Sequence, residues 1–97
     1  MDTNEKFLPI GTICSIKGNN RLIMITGVFS VEYAGNVKMF DYSGCVYPEG
    51  LLLRNKICSF NHADIESVKH KGYVTEEYQN FNTKLLANGD EAGELQI

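Results

Sequence analysis

Cysteine and histidine are the residue types in this chain best suited to covalent or metal chemistry. Cys45 lies in the segment FDYSGCVYPEG, residues 40–50. A cysteine nucleophile needs a base within reach and a lowered thiol pKa. His62 and His70 are the candidate bases, but the residues around Cys45 match no nucleophile motif, and no helix is predicted to begin directly after it. We therefore predict that Cys45 is a structural residue.

A metal site is a second chemical option, because Cys58 and His62 are four residues apart. A tetrahedral zinc site needs two further ligands, which normally form a second closely spaced pair. Cys14, Cys45 and His70 are each isolated in the sequence. We therefore expect no metal, no cofactor and no catalytic residue, and we predict that the protein is not an enzyme. The alternative is an enzyme that uses Cys45 or a Cys58–His62 metal site, which metal analysis and a thiol-reactivity assay would detect.

The charge of the chain argues against nucleic acid and anionic lipid as partners. The formal net charge is −3 and the pI is about 5.3, whereas such binding usually depends on a concentrated basic face. The basic residues closest together are Lys69, His70 and Lys71, with Arg54 and Lys56 before them. A solvated strand edge accounts for these residues. The alternative, a nucleic-acid-binding module, predicts salt-dependent binding that is lost when Lys69 and Lys71 are replaced.

The sequence predicts a cytoplasmic protein without membrane insertion. Its longest apolar run, residues 22–25, is far below the roughly 20 residues that a membrane-spanning helix needs. The N-terminal segment MDTNEKFLPIG carries charged residues and lacks the apolar region of a signal peptide. The three cysteines are widely spaced and odd in number, which suits a reducing compartment better than a disulfide framework.

The first three quarters of the chain have the pattern of short β-strands joined by turns. Residues 12–17 alternate apolar and polar side chains, and residues 18–20 then tolerate a positive φ. A second apolar run, residues 21–29, begins at once and predicts a β-hairpin. Gly27 within that run predicts a bulge. Residues 22–25 leave no polar face, so we expect that strand to be covered on both sides.

FDYSGCVYPEG is predicted to be the end of one strand followed by a turn. A second hairpin is expected between residues 28–33 and 37–42, with its turn between them. Residues 47–50 place proline and glycine where a β-turn uses them. The apolar residues 51–53 are predicted to begin the next strand, and a further short strand is expected at 57–60.

The last quarter of the sequence predicts one helical turn and one longer helix. Asn61 is expected to cap the turn, which runs through Asp64, and Ile65 and Val68 are expected to point inward as the chain extends again. The helix is predicted over 76–88, with a threonine as its N-cap and two glutamates in its first turn. Three residues are predicted to share one face of this helix: Tyr78, Phe81 and Leu85.

We therefore predict one mainly β (α+β) globular domain over residues 7–89, with strands over about 10–73. Roughly five to seven short antiparallel strands would form a small SH3-like barrel or a strongly bent sheet, with one C-terminal helix packed on it. Residues 1–6 are expected to be a flexible N-terminus, and residues 90–97 a flexible acidic tail.

Tyrosines next to turns mark a candidate protein-binding surface. A tyrosine combines an apolar ring with a hydroxyl group and is enriched at protein interfaces. The candidate partner-binding residues are Tyr42, Tyr47, Glu49 and Tyr73, because they lie near predicted strand ends or in the turn. Other aromatic residues are needed to fill a core of this small size.

Several segments of the chain together resemble a known family. They occur in the order FLPIGTICSIKG, RLIMITG, FDYSGCVYPEG and FNHADIESVKHKGY, followed by an acidic helix start and Phe81. In this order the chain resembles a small bacterial family called domain of unknown function 4176, from about Phe7 to Phe81. The resemblance supplies no active site and no catalytic role for Cys45. The positions that carry it are Pro9, Gly11, Lys17, Gly18, Gly27, Asp41, Tyr42, Tyr47, Pro48, Glu49, Gly50, Phe60, Asn61, Ile65, Val68, Gly72, Tyr73 and Phe81.

The function that the resemblance implies rests on the genes that lie next to those of such families. Their members are typical of Gram-positive bacteria and tend to lie beside genes of type VII secretion and of LXG-type toxins. The implied function is a protein-binding accessory or chaperone-like factor that recognises a secreted toxin or its targeting factor. An immunity protein that neutralises a toxin domain is the alternative within the same class. Co-expression separates them, because only an antidote rescues cells from the active toxin domain.

Overall fold

The computed structural model describes residues 7–52 and 57–88, which form a five-stranded antiparallel sheet and one α-helix. The order of strands across the sheet is β4-β3-β2-β1-β5. The predicted flexible ends, residues 1–6 and 90–97, lie outside the described residues. The elements are β1 (Ile13–Ile16), β2 (Leu22–Ala34), β3 (Asn36–Tyr47), β4 (Cys58–Phe60), a 3₁₀ turn (His62–Asp64), β5 (Ile65–His70) and α1 (Glu76–Asn88).

The first hairpin joins β1 and β2 as predicted. Ser15 pairs with Leu22 across it, and the N–H of Asn19 donates to the carbonyl oxygen of Ile16 at 3.0 Å. Gly18 has a φ of +79°, a left-handed conformation that glycine adopts without the steric cost of a Cβ. The glycine therefore lets the chain reverse within this short turn.

β2 and β3 form a second and much longer hairpin. Its turn lies at Gly35, as predicted, with a φ of +85°. The register shifts between Ile25 and Gly27, which confirms the predicted bulge. β3 continues to Tyr47, past its predicted end at residue 42, because the first residues of β2 pair with it there.

The outer part of this hairpin extends beyond the rest of the sheet. β1 pairs with β2 only as far as Met24, and β4 pairs with β3 only from Tyr42 to Gly44. In the described part of the chain, the strand segments within residues 30–40 therefore pair only with each other. We call this two-stranded segment the arm.

The sheet is bent because its two edge strands are consecutive in sequence. β4 and β5 lie at opposite edges, yet only residues 61–64 connect Phe60 to Ile65. A flat sheet of this size would separate its edges by about 19 Å, whereas this connection, with its 3₁₀ turn, spans at most about 13 Å. The sheet must therefore curl, which confirms the predicted strongly bent sheet. Among the described strands β4 and β5 do not pair, so the sheet is not a closed barrel.

One cluster of buried side chains fills the inner face of the bent sheet. Every strand and the segment before β1 contribute to it: Leu8, Cys14, Ile23, Ile25, Tyr42, Phe60, Ile65 and Val68. The predicted inward orientation of Ile65 and Val68 is confirmed, since each is only 6% exposed. On the other face of β2, Leu22 and Met24 are half-buried. The second side of that strand is therefore only partly covered, less than predicted.

The segment after β3 does not form the strand predicted at 51–53. The chain turns at residues 48–49 as predicted, but Leu51 and Leu52 lie outside any strand and are each 59% exposed. The place beside β3 is taken instead by β4, which begins at Cys58. The rest of this connection lies outside the described residues, including Leu53, Arg54 and Lys56.

α1 has the predicted bounds and begins at the predicted cap. The hydroxyl of Thr75 accepts the N–H of Tyr78 at 3.0 Å. Leu85 is 2% exposed and packs with Phe7, and the hydroxyl of Tyr78 donates to the carbonyl oxygen of Phe7 at 2.7 Å. Phe81, the third residue of the predicted helix face, is 40% exposed. The segment before β1, together with Val28 and Phe29 of β2, therefore supplies contacts that hold the helix.

Replacing Gly72 by alanine is expected to lower the free energy of unfolding by about 3 kcal/mol. A Cβ at this position would overlap with the carbonyl oxygen of Ile10. The N–H of Gly72 also donates to the buried hydroxyl of Thr12 at 3.0 Å, so the backbone has little room to shift. Urea unfolding followed by circular dichroism measures the loss.

Gly27→Ala is the matched control for this substitution. Its Cβ would lie 2.7 Å from the hydroxyl oxygen of Ser43, a side-chain atom that can rotate away by giving up its 3.1 Å hydrogen bond to Thr26. The expected loss is therefore about 1 kcal/mol. Equal losses for the two alanine variants would contradict this account of the packing at Gly72.

Candidate protein-binding surfaces

Tyr42 was expected at an exposed strand end, but it lies in the core. Its side chain is 0% exposed, because β3 continues beyond it and its ring stacks on Phe60 with centroids 5.3 Å apart. The hydroxyl accepts the N–H of Leu8 at 3.1 Å and is hydrogen-bonded to Nδ1 of His62 at 2.8 Å. With no exposed surface, this side chain does not contact a partner directly in this fold.

The hydrogen bonds of Tyr42 satisfy a neutral phenol. The oxygen accepts from Leu8, and the hydroxyl proton can be donated to an unprotonated Nδ1 of His62. Burial raises the pKa of Tyr42 from its ordinary value of 10.0 to about 12. The network connects the segment before β1, the middle of β3 and the 3₁₀ turn, so its role is structural.

The turn after β3 brings two of the predicted residues, Tyr47 and Glu49, together on the surface. Arg21, which precedes β2, forms an ion pair with Glu49. A guanidinium nitrogen of Arg21 also lies 3.4 Å from the carbonyl oxygen of Tyr47. Hydrogen bonding to Arg21 lowers the pKa of the Glu49 carboxyl. These contacts fasten the turn after β3 to the end of the first hairpin.

The same turn exposes large apolar side chains. Tyr47 is 40% exposed, and Leu51 and Leu52 are each 59% exposed. Exposed apolar residues that lie together mark candidate interaction sites. We call Tyr47, Glu49, Leu51 and Leu52 the turn surface. The exposure of the two leucines was not predicted, because their apolar character favoured a strand at residues 51–53.

Tyr73 lies in a second exposed apolar region and is itself 86% exposed. Gly72, the residue before it, packs against the backbone of Ile10, and Ile10 lines an apolar cleft together with Phe81. Ile10, Val74 and Phe81 are 56%, 37% and 40% exposed. We call Ile10, Tyr73, Val74 and Phe81 the helix surface.

The cleft in the helix surface is too small for a cofactor. Its volume is about 40 Å³, whereas small-molecule sites usually have roughly 300–1,000 Å³. It is an indentation within an apolar surface and not a ligand pocket. Its walls are formed by Phe7, Leu8, Ile10, Val28, Tyr78, Phe81 and Leu85.

The strand register separates the turn surface from the helix surface. Tyr47 pairs with Leu22, the first residue of β2, and Leu22 pairs with Ser15 near the end of β1. Tyr73 follows β5, whose last residue pairs with Ile13 at the start of β1. The two tyrosines therefore lie toward opposite ends of the strands, and the predicted residues do not form one continuous surface.

The cysteines and His62 are buried or hydrogen-bonded within the fold, whereas His70 is exposed. Cys45 is 1% exposed in β3, so a substrate has no access to its thiol in this structure. Cys58 donates to a backbone carbonyl at 3.3 Å, and His62 belongs to the tyrosine network. Burial raises the pKa of Cys14 to about 11 and also raises that of Cys58. Within residues 7–52 and 57–88, no group of three or more His, Cys, Asp or Glu could hold a metal ion.

The basic residues of the nucleic-acid hypothesis lie at the edge strand β5. Lys69 and His70 are exposed at its end, and Lys71 follows, half-buried. Glu66, an acid on the same strand, is also exposed. Charged side chains are common on edge strands, where they hinder pairing with other chains. Nucleic-acid binding at these residues stays the alternative prediction.

Tyr42→Phe is expected to lower the free energy of unfolding by about 2 kcal/mol, since the N–H of Leu8 would lose its acceptor inside the core. Tyr73→Phe is the matched control, because it removes the same hydroxyl from a side chain that is 86% exposed. The control should stay within about 0.5 kcal/mol of the wild type. Urea unfolding at neutral pH gives both values, and similar losses would disprove the role assigned to the buried hydroxyl.

The stability contributed by Tyr42 is expected to disappear at high pH. Its pKa of about 12 in the folded protein lies above the ordinary 10.0, so the unfolded chain loses the proton first. The free energy of unfolding should therefore fall as pH rises from about 10 toward 12. Cys14, with a pKa raised from 9.0 to about 11, adds a fall that begins at lower pH.

Denaturation curves at several pH values above neutrality test this titration. Tyr42→Phe should decline less steeply than the wild type above about pH 10. Parallel declines for the wild type and Tyr42→Phe would show that the buried hydroxyl does not titrate as described.

No helix in the described residues is both long and apolar enough to cross a membrane.

Comparison with known proteins places the chain in a family. No curated protein and no solved structure matches the chain. A family model described as Domain of unknown function (DUF4176) matches residues 7–81, from the segment before β1 into α1. The chain therefore belongs to the DUF4176 family.

Proposed function

We propose that the protein is a non-enzymatic protein-binding factor that holds its partner at the turn surface. The observation that carries this proposal is the joint exposure of Tyr47, Leu51 and Leu52 beside a turn that an ion pair fastens. Covering such side chains removes apolar area from water, which contributes about 25 cal/mol per Å². A turn that is already fixed also loses little conformational entropy when a partner binds.

The charged residues at the turn surface can orient the partner. The side chains of Arg21 and Glu49 are 45% and 36% exposed, and they border the apolar residues of the turn. An apolar centre with a polar rim is the usual arrangement of a protein interface. A partner that covers both would bury on the order of 800 Å² of this protein. Tyr73 stays a predicted contact, at the separate helix surface.

We further propose that the partner is a type VII secreted toxin or its targeting factor. The protein would act in the cytoplasm as an accessory or chaperone-like factor before export. The ground for this part is the association with type VII secretion and LXG-type toxins that the family resemblance implies. The exposed apolar turn supports it, because such a factor must cover apolar segments of another chain.

The double variant Tyr47→Ala/Leu52→Ala is expected to reduce capture of the partner at least about tenfold. The measurement is affinity capture from the native host with quantitative mass spectrometry, using variants whose circular dichroism and melting temperature match the wild type. Val37→Ala/Met39→Ala on the arm is the matched control, because those side chains are also apolar and are 68% and 47% exposed.

The control variant should capture the partner as well as the wild type does. Unchanged capture by the folded turn-surface variant would show that the partner binds elsewhere. Tyr73→Ala, assayed in the same way, tests the remaining predicted contact.

Export and immunity roles predict different results in cells. If the protein is an accessory factor, deleting its gene should lower secretion of the toxin. Wild-type protein should restore secretion, and the Tyr47→Ala/Leu52→Ala variant should not. Co-expression with the isolated toxin domain should leave the cells unprotected. Protection from that domain, with secretion unaffected by the deletion, would identify an immunity protein instead.

A further inference from the structure

We propose that the protein associates with a second copy of itself through α1, in an antiparallel pair centred on Phe81. This inference uses the helix surface and goes beyond the function proposed for the turn surface. It begins with three exposed residues of the helix, Glu77, Phe81 and Lys84. They occupy positions i, i+4 and i+7, which lie on one side of an α-helix.

The two charges on this side of the helix have no ion-pair partner among the described residues. In the part of the chain that the structure describes, neither Glu77 nor Lys84 forms an ion pair. The residues three and four positions after Glu77 are Asn80 and Phe81, and the same two residues lie four and three positions before Lys84. Between Glu77 and Lys84, therefore, no residue at a spacing of three or four positions carries a charge that could form an intrahelical ion pair with either of them.

The charges on this side of α1 complement those of a second copy of α1 that lies antiparallel to it. Glu77 lies four residues before Phe81, and Lys84 lies three residues after it. In an antiparallel pair with the Phe81 rings in contact, Glu77 of each copy faces Lys84 of the other, because a two-fold interface repeats every contact. A parallel pair would instead place like charges together. The charge pattern therefore favours a second copy in the antiparallel orientation.

Apolar surface suitable for this contact lies beside Phe81. Ile10, Val74 and Phe81 are exposed by 56%, 37% and 40%, and the cleft between Ile10 and Phe81 is apolar. A side chain from the second copy can cover that cleft. α1 has 13 residues and is about 20 Å long, so the contact is smaller than the roughly 800 Å² per subunit of a standard interface. We therefore expect a weak dimer, with a dissociation constant on the order of 100 μM.

Charge-exchange variants of the full chain test this arrangement. Glu77→Lys and Lys84→Glu each place like charges at both contacts, so each should raise the dimer dissociation constant at least about tenfold in sedimentation equilibrium. An equimolar mixture of the two variants restores opposite charges at both contacts. The mixture should therefore form a heterodimer about as tightly as the wild type forms its dimer. Glu66→Lys on β5 makes the same change in net charge as Glu77→Lys and should leave dimerisation unchanged.

Three results would overturn the proposal. They are a wild-type chain that stays monomeric up to about 1 mM, single variants that dimerise as well as the wild type, and a mixture that associates no better than its components. A change in helix stability alone cannot produce the heterodimer, because both variants keep their own substitution in the mixture. Partner capture is measured separately, so a wild-type chain that stays monomeric but still captures its partner would reject this inference and leave the proposed function intact.

Discussion

The buried hydroxyl of Tyr42 links the parts of the chain that enclose the core. It is hydrogen-bonded to Leu8 before β1 and to His62 in the connection between the two edge strands. Two further hydrogen bonds secure that connection to β3: the N–H of His62 donates to the carboxylate of Asp41 at 2.9 Å, and the N–H of Asp41 donates to Asn61 at 3.1 Å. Because this connection forces the sheet to curl, the tyrosine and its neighbours determine how the core is enclosed.

The core is small, and its size explains why so many large apolar residues lie outside it. One cluster uses the inner face of the sheet, and a second small one joins Phe7 and Leu85 beneath the helix. Phe7 and Phe29 both have a positive φ, +58° and +54°, which is costly for a phenylalanine. Their rings pack with centroids 4.9 Å apart, so packing maintains the strained backbone. Apolar residues beyond these clusters remain on the surface, where other proteins can contact them.

Local signals in the sequence were sufficient for the turns and the helix. Gly18, Gly35 and Thr75 act within a few residues of their position, and each is found where its chemistry predicted. The length of β3 and the interior position of Tyr42 depend on pairing with distant strands, which residue spacing does not reveal. The exposed positions of Leu51 and Leu52 have the same origin, because β4 occupies the place beside β3. Of the predicted binding residues, Tyr47, Glu49 and Tyr73 do lie on the surface. Their division between the turn surface and the helix surface could not be predicted from the sequence.

The arm has a consequence for how the molecule opens. Its strand segments are bonded to each other and to no other strand in the described part of the chain, so separating them breaks few contacts of the core. Backbone amides in the arm should exchange with deuterium through local fluctuations. Backbone amides of β1 and of the inner half of β2 should exchange only when the whole sheet opens. The inner end of the β2–β3 hairpin therefore opens only together with the rest of the sheet, whereas its outer end, the arm, can open by itself.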